Sequence, residues 1–420
     1  MQRKGLEIDM YKPKLLFYYS NDLTKPSIGG AGFRLCRTID LLKNYCDITV
    51  ALPKQPLWED LNVKYNSNIR DSDIKTVIIR HPKGIFRLRS CFGCYGPLDR
   101  EIGKLAKNND LCVSFTNFGH FGEPAIHFLI GLDIFNVVGI AGPKTKTWEP
   151  PFTSLKNAAI SRFRKYAHLL MYIAKIICFR KKMFLKRCKD NGDRIISNSK
   201  WMASFFEREG LHLDVLYPPV TATFRDIPFN DRKSDFVCIG RIHEIKRIEV
   251  MIAMLKRLRD SGFWASDFHI IGEITKTPYA EYIHNLSKKY DWVKLEGKLV
   301  GKEKERLLTG CRYAIHGCSV EAFGISVVEY LKSGCIPFVP AGCGASEVVD
   351  VDDLCYKDED DAVDKMICIL GSDESKQNDL QRMLIKRGGK FSIDRFDRDV
   401  QCIFEEELSK RGFRGIFQNS

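Results

Sequence analysis

The sequence has no hydrophobic run long enough to cross a membrane as a helix, which takes about 20 mainly apolar residues. The two most apolar stretches are 124–142 and 167–179. His127 and Asp133 interrupt the first stretch, and Lys175 interrupts the second, which is also too short. We therefore expect no membrane-spanning helix.

Cysteine pairs with a regular spacing are almost missing as well. The 15 cysteines are scattered, and only Cys91-Phe-Gly-Cys94 forms a CxxC pair, with no second pair to complete a zinc site. We interpret Cys91 and Cys94 as two small residues in a glycine-rich loop. Reduced thiols predict a cytoplasmic protein, and the mixed, polar residues before Lys14 do not resemble a signal peptide.

Two signatures of cofactor and metal sites are incomplete. The turn at 27–32 is rich in glycine but lacks the full GxGxxG pattern, and no suitably placed acid follows Leu52. A dinucleotide-dependent oxidoreductase is therefore disfavoured. The acidic pairs at 352–353 and 360–361 lie in a stretch typical of a protein surface, so neither is placed as a metal-binding DxD pair.

The composition is that of an ordinary globular protein with an excess of positive charge. A chain of 420 residues exceeds one ordinary core and favours two domains. The net charge of +13 is concentrated in residues 156–189, where Lys and Arg alternate with aromatic and aliphatic side chains. Such a segment is typical of a helix on an anionic membrane surface, but a core-packed helix with a basic exposed side fits equally well.

The segment 319–334 carries the strongest functional signal. Ile325, Val328 and Leu331 recur at helical spacing, and Gly334 stands where a helix would end. The segment is therefore predicted to be a loop that enters a helix.

Two glutamates frame the start of this helix. Glu321 precedes the first turn of the helix, and Glu329 lies inside the helix. At about 1.5 Å per residue, the two are about 12 Å apart along the helix axis. Between them, the amides of Phe323, Gly324 and Ile325 would point out of the helix N-terminus, where phosphate binds readily. The two carboxylates could thus hold the two ends of an elongated ligand such as a nucleotide-sugar. By chance alone, many helices contain two glutamates at this spacing.

A second motif lies about eighty residues upstream. A short apolar strand runs into Gly240 and is followed by Arg241 and Lys246, and then by a helix with an apolar stripe from 248 to 258. Two cations just beyond a glycine at a strand end suit a diphosphate, since Arg binds phosphate bidentately and Lys adds a point charge. The alternative is an exposed basic loop, but the two motifs together are more specific than either.

At these residues the sequence resembles the large family of retaining, nucleotide-sugar-dependent glycosyltransferases with the two-domain GT-B architecture. That family carries a G-R-x4-K element followed by an E-x7-E element, which here read Gly240-Arg241…Lys246 and Glu321…Glu329. The resemblance is strong over about 195–350 and includes a G-G-x-x-E-like passage at 342–347. One departure is Arg247, where the family usually has glycine, and we expect its charge to lie near the phosphates.

The resemblance implies an α/β fold of two Rossmann-like parallel-sheet domains that face each other across a cleft. We expect an N-terminal acceptor-side domain at 1–215, a nucleotide-sugar-binding domain at 216–393, and a helix within 394–420 that crosses back to the first domain. Strands are predicted at 14–20, 47–52, 75–80, 111–115 and 136–140 in the first domain, and at 235–239, 268–271, 293–295, 313–315 and 336–339 in the second.

The resemblance also implies roles for the second-domain residues. Arg241 and Lys246 would neutralise the diphosphate of the donor. Glu321 would orient the transferred sugar, and Glu329 would bind the ribose hydroxyls. The loop that ends at Val300 would contact the nucleobase.

In the first domain, the resemblance points to a glycine pair and a histidine. Gly29 and Gly30 would border the cleft beside the donor phosphates or the acceptor, although a simple tight turn explains them equally well. His120, between Gly119 and Gly122, is the candidate for contact with the donor sugar, and a structural histidine is the alternative.

The reaction implied by the resemblance is sugar transfer with retention of anomeric configuration. The donor would be UDP- or GDP-linked, GDP-mannose included, and the acceptor a lipid-linked or other glycan, with a peripheral place on the cytoplasmic membrane face. No metal or other cofactor is expected, because Arg, Lys and amides supply the positive charge. A phosphorylase or a sugar-phosphate-acceptor synthase could share the scaffold.

The alternative from a different class is a non-catalytic basic protein that binds anionic lipid or nucleic acid. It accounts for the positive charge but leaves the spacing of Arg241, Lys246, Glu321 and Glu329 unexplained. Nucleic acid is therefore not an expected partner.

Overall fold

The structure of the protein is a computed structural model, in which residues 11–20, 22–24, 30–79, 97–115, 121, 123–129, 186–208 and 210–417 are described. These residues form two parallel sheets, one in each half of the chain, with helices packed against them. The predicted α/β class with two parallel-sheet domains is confirmed.

The N-terminal half supplies the first sheet. Its elements are β1 (Lys14–Tyr18), α1 (Gly30–Leu42), β2 (Asp47–Leu52), α2 (Trp58–Tyr65), β3 (Ile74–Ile78), α3 (Pro97–Ala106), β4 (Leu111–Ser114), β5 (Ala125–Phe128), β6 (Arg194–Ser197), α4 (Lys200–Glu207) and β7 (Asp214–Val215). The strands pair in the order β3-β2-β1-β4-β5-β6-β7. After its first residue β1 is buried throughout, as expected for a parallel strand covered on both faces. The first four predicted strands are found as β1 to β4, and the one predicted at 136–140 lies outside the described residues.

The C-terminal half supplies the second sheet. Its elements are β8 (Lys233–Ile239), α5 (Ile248–Asp260), β9 (Phe268–Ile271), α6 (Pro278–Lys289), β10 (Val293–Gly297), α7 (Gly301–Gly310), β11 (Cys311–Ile315), α8 (Ile325–Ser333), β12 (Ile336–Pro340), α9 (Gly344–Val349), β13 (Cys355–Tyr356), α10 (Glu359–Leu370), α11 (Glu374–Gly389) and α12 (Ile393–Ser409). All five predicted strands are present, and β13 is an addition. The strand order is β10-β9-β8-β11-β12-β13.

The order of the second sheet reverses between β8 and β11. In open parallel sheets, ligands bind outside the carboxyl ends of the strands at such a switch point, because the helices on either side diverge and leave a crevice. The loops that follow β8 and β11 carry both sequence motifs, so the topology places them at the same edge.

The last helix, α12, packs in the core of the N-terminal domain. Phe396, Val400, Phe404 and Leu408 are buried in the cluster that also contains the apolar side chains of β1, β2 and β4. Arg37 of α1 and Asp397 of α12 form an ion pair with two hydrogen bonds. One joins Arg37 Nη2 to Asp397 Oδ2, and the other joins Arg37 Nε to Asp397 Oδ1 at 2.9 Å. The first domain is therefore assembled from the two ends of the described chain.

Glu347 joins the two domains at their junction. This residue of α9 accepts hydrogen bonds from the backbone amides of Lys200 (2.9 Å) and Trp201 (2.8 Å), which open α4, and from the Tyr217 hydroxyl (2.6 Å). A carboxylate at a helix N-terminus satisfies unpaired amides and opposes the positive end of the helix dipole. The pKa of Tyr217 is raised, mainly because the side chain is buried and also because its hydroxyl donates a hydrogen bond to the Glu347 carboxylate.

Several predictions from the sequence fall largely outside the described residues. Only the last four residues of 156–189 are described, and Cys91 and Cys94 are not. The described cysteines have free thiols. Among the described residues, no helix combines the length and apolar character needed to span a bilayer.

Replacing Glu347 by alanine should lower the free energy of unfolding by about 2 kcal/mol, because two helix amides and a phenol lose a charged acceptor. Tyr217→Phe removes one of the three hydrogen bonds and should cost about 1 kcal/mol. Urea unfolding of the three proteins measures both changes. An E347A protein as stable as the wild type would show that the junction does not depend on this carboxylate.

Candidate active site

The centre of the site is an ion pair between the two sequence motifs. Lys246 Nζ lies 2.9 Å from Glu321 Oε2, although the residues are 75 positions apart in the chain. Lys246 closes a short 3-10 helix at 244–246 just after β8, and its side chain extends over Gly240, where an added methyl group would lie 3.3 Å from Lys246 Cε. Glu321 stands in the loop between β11 and α8. The structure thus brings together Gly240, Lys246 and Glu321.

The loop that carries Glu321 is held by the start of α9. Gly344 N donates to the carbonyl oxygen of Glu321 at 2.8 Å. The approach leaves no room for a side chain, since a Cβ on Gly344 would lie 2.3 Å from the carbonyl oxygen of Ala322. The backbone of Glu321 is therefore fixed independently of its ion pair.

His316 lies beneath Glu321 and was not singled out by sequence reasoning. It follows β11 directly, is 2% exposed, and places Nε2 3.4 Å from Glu321 Oε2. The imidazole is held by its backbone, which donates to Phe338 O at 2.9 Å and accepts from the Tyr356 hydroxyl at 2.6 Å. The only signal in the sequence was a histidine at the end of a predicted strand, five residues before Glu321.

The charges of this cluster are set by competition between burial and pairing. Burial alone would raise the pKa of Glu321, but the Lys246 ammonium, followed by His316, outweighs it and holds that pKa far below its usual value of 4.5. Burial alone would lower the pKa of Lys246, and Glu321 outweighs it and raises that pKa. Burial lowers the pKa of His316, so its ring is neutral at pH 7. At pH 7, Glu321 is therefore an anion and Lys246 a cation.

The N-terminus of α8 faces the same crevice. Gly324, which directly precedes α8, has φ +100°, a left-handed conformation that favours glycine, and no side chain of the described residues caps the helix. Ile325 is 38% exposed and meets the first domain, because an added methyl on Gly30 would lie 2.8 Å from Ile325 Cδ1. The Phe323 side chain packs between Tyr217 and Phe391, and the residue as a whole is only 2% exposed.

Glu329 lies one turn further into α8 and is paired with a lysine. Lys304 Nζ, on α7, lies 2.7 and 2.8 Å from the two carboxylate oxygens of Glu329. Sequence reasoning did not identify Lys304. Val300, which precedes α7, is 64% exposed.

A cavity of about 550 Å³ extends from this pair to the first domain. Its wall combines Gly30, Phe33 and Tyr65 with the segment 218–224, with Lys304 of α7 and its neighbours, and with Ile325 and Glu329 of α8. The cavity therefore lies in the cleft between the domains.

Arg241 and Arg247, which lie on either side of the short helix at Lys246, differ in their contacts. Arg241 is exposed, and no carboxylate in the described ranges pairs with it. Arg247 has φ +50°, the left-handed conformation that explains glycine at this position in the family. Its guanidinium is paired, because Nη2 lies 2.6 Å from a carboxylate oxygen of Glu359 on α10, so the charge expected near the phosphates is compensated by an acidic residue.

Two predicted site residues, Gly29 and His120, lie outside the described residues. One group with the donor set of a metal site overlaps the centre, since ligand atoms of His316, Cys318 and Glu321 lie within 4.8 Å of one another. Lys246 already supplies a positive charge to Glu321, and burial raises the pKa of the Cys318 thiol to about 11. These residues therefore fit an ammonium better than a metal ion.

The arrangement is suited to a ligand with a central anion and a hydroxyl-rich group at each end. Arg241, Lys246 and the α8 N-terminus provide positive charge in the middle. Glu321 lies on one side as an acceptor of hydrogen bonds, and Glu329 lies on the other beside the cavity.

Solved structures resemble the chain over almost its whole length. HepE (Alr3699) of Anabaena, crystallised with UDP and glucose, has a TM-score of 0.61 and 16% identity, and the match covers 94% of this chain and 100% of that chain. Sucrose-phosphate synthase (tll1590) of Thermosynechococcus elongatus has a TM-score of 0.62 and 11% identity, with 95% and 100% covered. The pneumococcal O-GlcNAc transferase GtfA, in complex with UDP and GlcNAc, has a TM-score of 0.59 and 8% identity, with 95% and 100% covered. At these identities the likeness shows the fold, and the predicted GT-B architecture is confirmed.

Among curated proteins, no sequence matches this chain. Residues 220–390 match the model of the family described as Glycosyl transferases group 1. The matched range includes both sequence motifs, from Gly240 to Glu329. Together with the GT-B fold, this match supports a glycosyltransferase, and therefore an enzyme.

Proposed function

We propose that the protein transfers a sugar from a nucleotide-diphosphate-sugar to a glycan acceptor with retention of anomeric configuration. The observation that carries the proposal is the Lys246–Glu321 ion pair, placed at the sheet's switch point in front of the uncapped N-terminus of α8. A cation, an anion and a set of backbone donors converge there. A non-catalytic basic binding protein has no need of this convergence.

The diphosphate would be bound by Arg241, Lys246 and the amides of Gly324 and Ile325. When the bond between the anomeric carbon and the phosphate oxygen breaks, its electron pair leaves with the diphosphate. Fixed positive groups lower the energy of the growing negative charge, and removal of one such donor typically costs about 100- to 1,000-fold in kcat. Arg241 is suited to this task because it is exposed, it lies just after β8, and its guanidinium can bind phosphate bidentately.

Glu321 would bind hydroxyls of the transferred sugar. Its ionised state at neutral pH makes both oxygens acceptors, and Lys246 and His316 restrict its orientation. His120, placed near the donor sugar by the resemblance, remains a prediction from the sequence, as does Gly29 beside Gly30.

Glu329 would accept hydrogen bonds from the ribose, and the exposed loop at Val300 would face the nucleobase. We favour a UDP-sugar, because HepE and GtfA, which share the fold, were crystallised with UDP. A GDP-sugar such as GDP-mannose is the second choice. Because side chains and amides supply positive charge around the diphosphate, the proposed transfer needs neither a metal ion nor another cofactor.

For the acceptor, we propose a lipid-linked glycan, with a peripheral place of the protein on the cytoplasmic membrane face. The support is the basic and apolar segment 156–189 in the sequence. Sedimentation with anionic and with neutral vesicles tests the membrane contact, and equal binding to both would remove this support.

The donor is identified by thermal stabilisation and slow hydrolysis across UDP-, GDP- and ADP-sugars, each with and without EDTA. We expect the midpoint of unfolding to rise with a UDP-sugar, EDTA to have no effect, and Arg241→Ala and Glu329→Gln each to weaken binding at least tenfold, about 1.4 kcal/mol. No response from well-folded protein to any nucleotide-sugar would instead favour the basic binding protein. A response that needs added metal would contradict the role given to Arg241 and Lys246.

Retention is tested by the anomer that forms first. With an α-linked UDP-sugar, the initial product of slow hydrolysis or of transfer should show the α-anomeric proton in NMR spectra recorded before mutarotation. The Glu321→Gln variant should give much less product, and a β product from the wild type would establish inversion.

The Lys246–Glu321 pair also predicts a pH dependence of stability. Because the folded-state pKa of Glu321 lies below the unfolded value of 4.5, its contribution is complete above about pH 4.5 and is lost as the pH falls further. Glu321→Gln should therefore destabilise the protein at pH 7 by about 1–3 kcal/mol, and the difference from wild type should shrink at acidic pH. Glu101→Gln, at an exposed position in the middle of α3, is the control and should show no such change. A difference independent of pH would mean that Glu321 is not held ionised by Lys246.

A further inference from the structure

Lys304 contacts Glu329, and the motifs did not reveal this contact. It lies in the first turn of α7 and reaches across to α8, where its ammonium touches both carboxylate oxygens at 2.7 and 2.8 Å. Both side chains are largely shielded, with 21% of Lys304 and 13% of Glu329 exposed. The pair is therefore a built feature of the cleft wall rather than a loose contact on the surface.

The geometry leaves Glu329 free to bind more than the lysine. An ionised carboxylate has about four lone-pair sites on its two oxygens. One ammonium that spans both oxygens uses the two inner sites, and one outer site remains on each oxygen. Glu329 and Lys304 both line the 550 Å³ cavity, so a ligand in the cavity can reach the Glu329 carboxylate.

A single ribose hydroxyl group matches one of these outer sites. It can donate to the oxygen that it faces, provided that the carboxylate plane is fixed. A free glutamate side chain loses rotamer entropy when it binds, and a partner that fixes it beforehand removes that cost. Lys304 also keeps a negative charge in the cleft from repelling an anionic ligand.

We propose that Lys304 is a positioning residue that fixes Glu329 and thereby makes the site selective for a ribonucleotide over its 2′-deoxy form. The inference rests on the proposed function, since it assigns the nucleoside end of the donor to Glu329. It makes Lys304, which lies on a different helix from the E-x7-E element, a determinant of whether ribose or deoxyribose is accepted in the nucleotide.

Lys302 offers a matched control. It is exposed and lines the same cavity, but no ion pair joins it to Glu329, as judged within the described part of the chain. Lys302→Met therefore removes one positive charge from the same wall without releasing the carboxylate. A general electrostatic attraction for the diphosphate would be weakened in both lysine variants, whereas positioning of Glu329 depends on Lys304 alone.

The experiment measures the affinity for UDP and for 2′-deoxy-UDP by calorimetry in the wild type and in K304M, K302M and E329Q. If the wild type binds GDP or ADP better, that nucleotide and its deoxy form replace them. We expect the wild type to prefer the ribonucleotide by about tenfold, the worth of one hydrogen bond to a charged group. The preference should fall below about threefold in K304M and vanish in E329Q, and it should persist in K302M.

Lys304→Arg serves as the rescue variant. A guanidinium binds both oxygens of a carboxylate, so K304R should keep the preference for ribose that K304M loses. It also separates positioning from misfolding, because both variants change the same side chain.

The outcomes separate the two proposals. A K304M protein that keeps the wild-type preference, or that binds the ribonucleotide more tightly, would overturn the role of Lys304 and leave the glycosyltransferase proposal intact. Loss of the preference in K302M to the same extent as in K304M would also overturn it. If the wild type binds none of the nucleotides, both proposals fail together.

Discussion

The candidate site depends on the attraction between Lys246 and Glu321 across the switch point of the second sheet. Either charge alone would be unfavourable in this partly enclosed crevice, because it would lose hydration without gaining a partner. The pair therefore stabilises the contact between the turn after β8 and the loop after β11. The backbone also favours this ion pair. Gly240 leaves room for the aliphatic part of the Lys246 side chain, and the Gly344 amide donates a hydrogen bond to the carbonyl oxygen of Glu321. The remaining functional groups are arranged around this pair: Arg241 beside it, the α8 N-terminus in front, and His316 beneath.

The sequence predicted the features that are encoded locally. Strands of the second sheet could be located because apolar residues buried on both faces form short continuous runs, as in β8 and β12. The positions of Gly240, Lys246 and Glu321 followed from spacing, since each lies at the end of a strand or at the entry to a helix. β13 has only two residues, too few to produce a pattern.

Contacts between segments that are distant in the chain could not be predicted from the sequence. Lys304 and Glu329 lie on separate helices, and nothing in either segment marks the other as its partner. Glu347 stood in a passage that resembled the family, yet its role at the start of α4 requires the two domains to be placed together. Arg247 shows the same limit, because its charge was visible in the sequence but its direction, toward Glu359, depends on where α10 packs.

The position of α12 has a consequence for how the chain reaches its native state. The second domain is contiguous in the sequence, so its core can form as soon as that stretch has been synthesised. The first domain begins the chain, but its core is incomplete until Phe396, Val400 and Phe404 arrive from the last helix. Domains usually fold during synthesis in the order in which they emerge. In this protein, the domain that is synthesised before the other can complete its core only after the other has been synthesised.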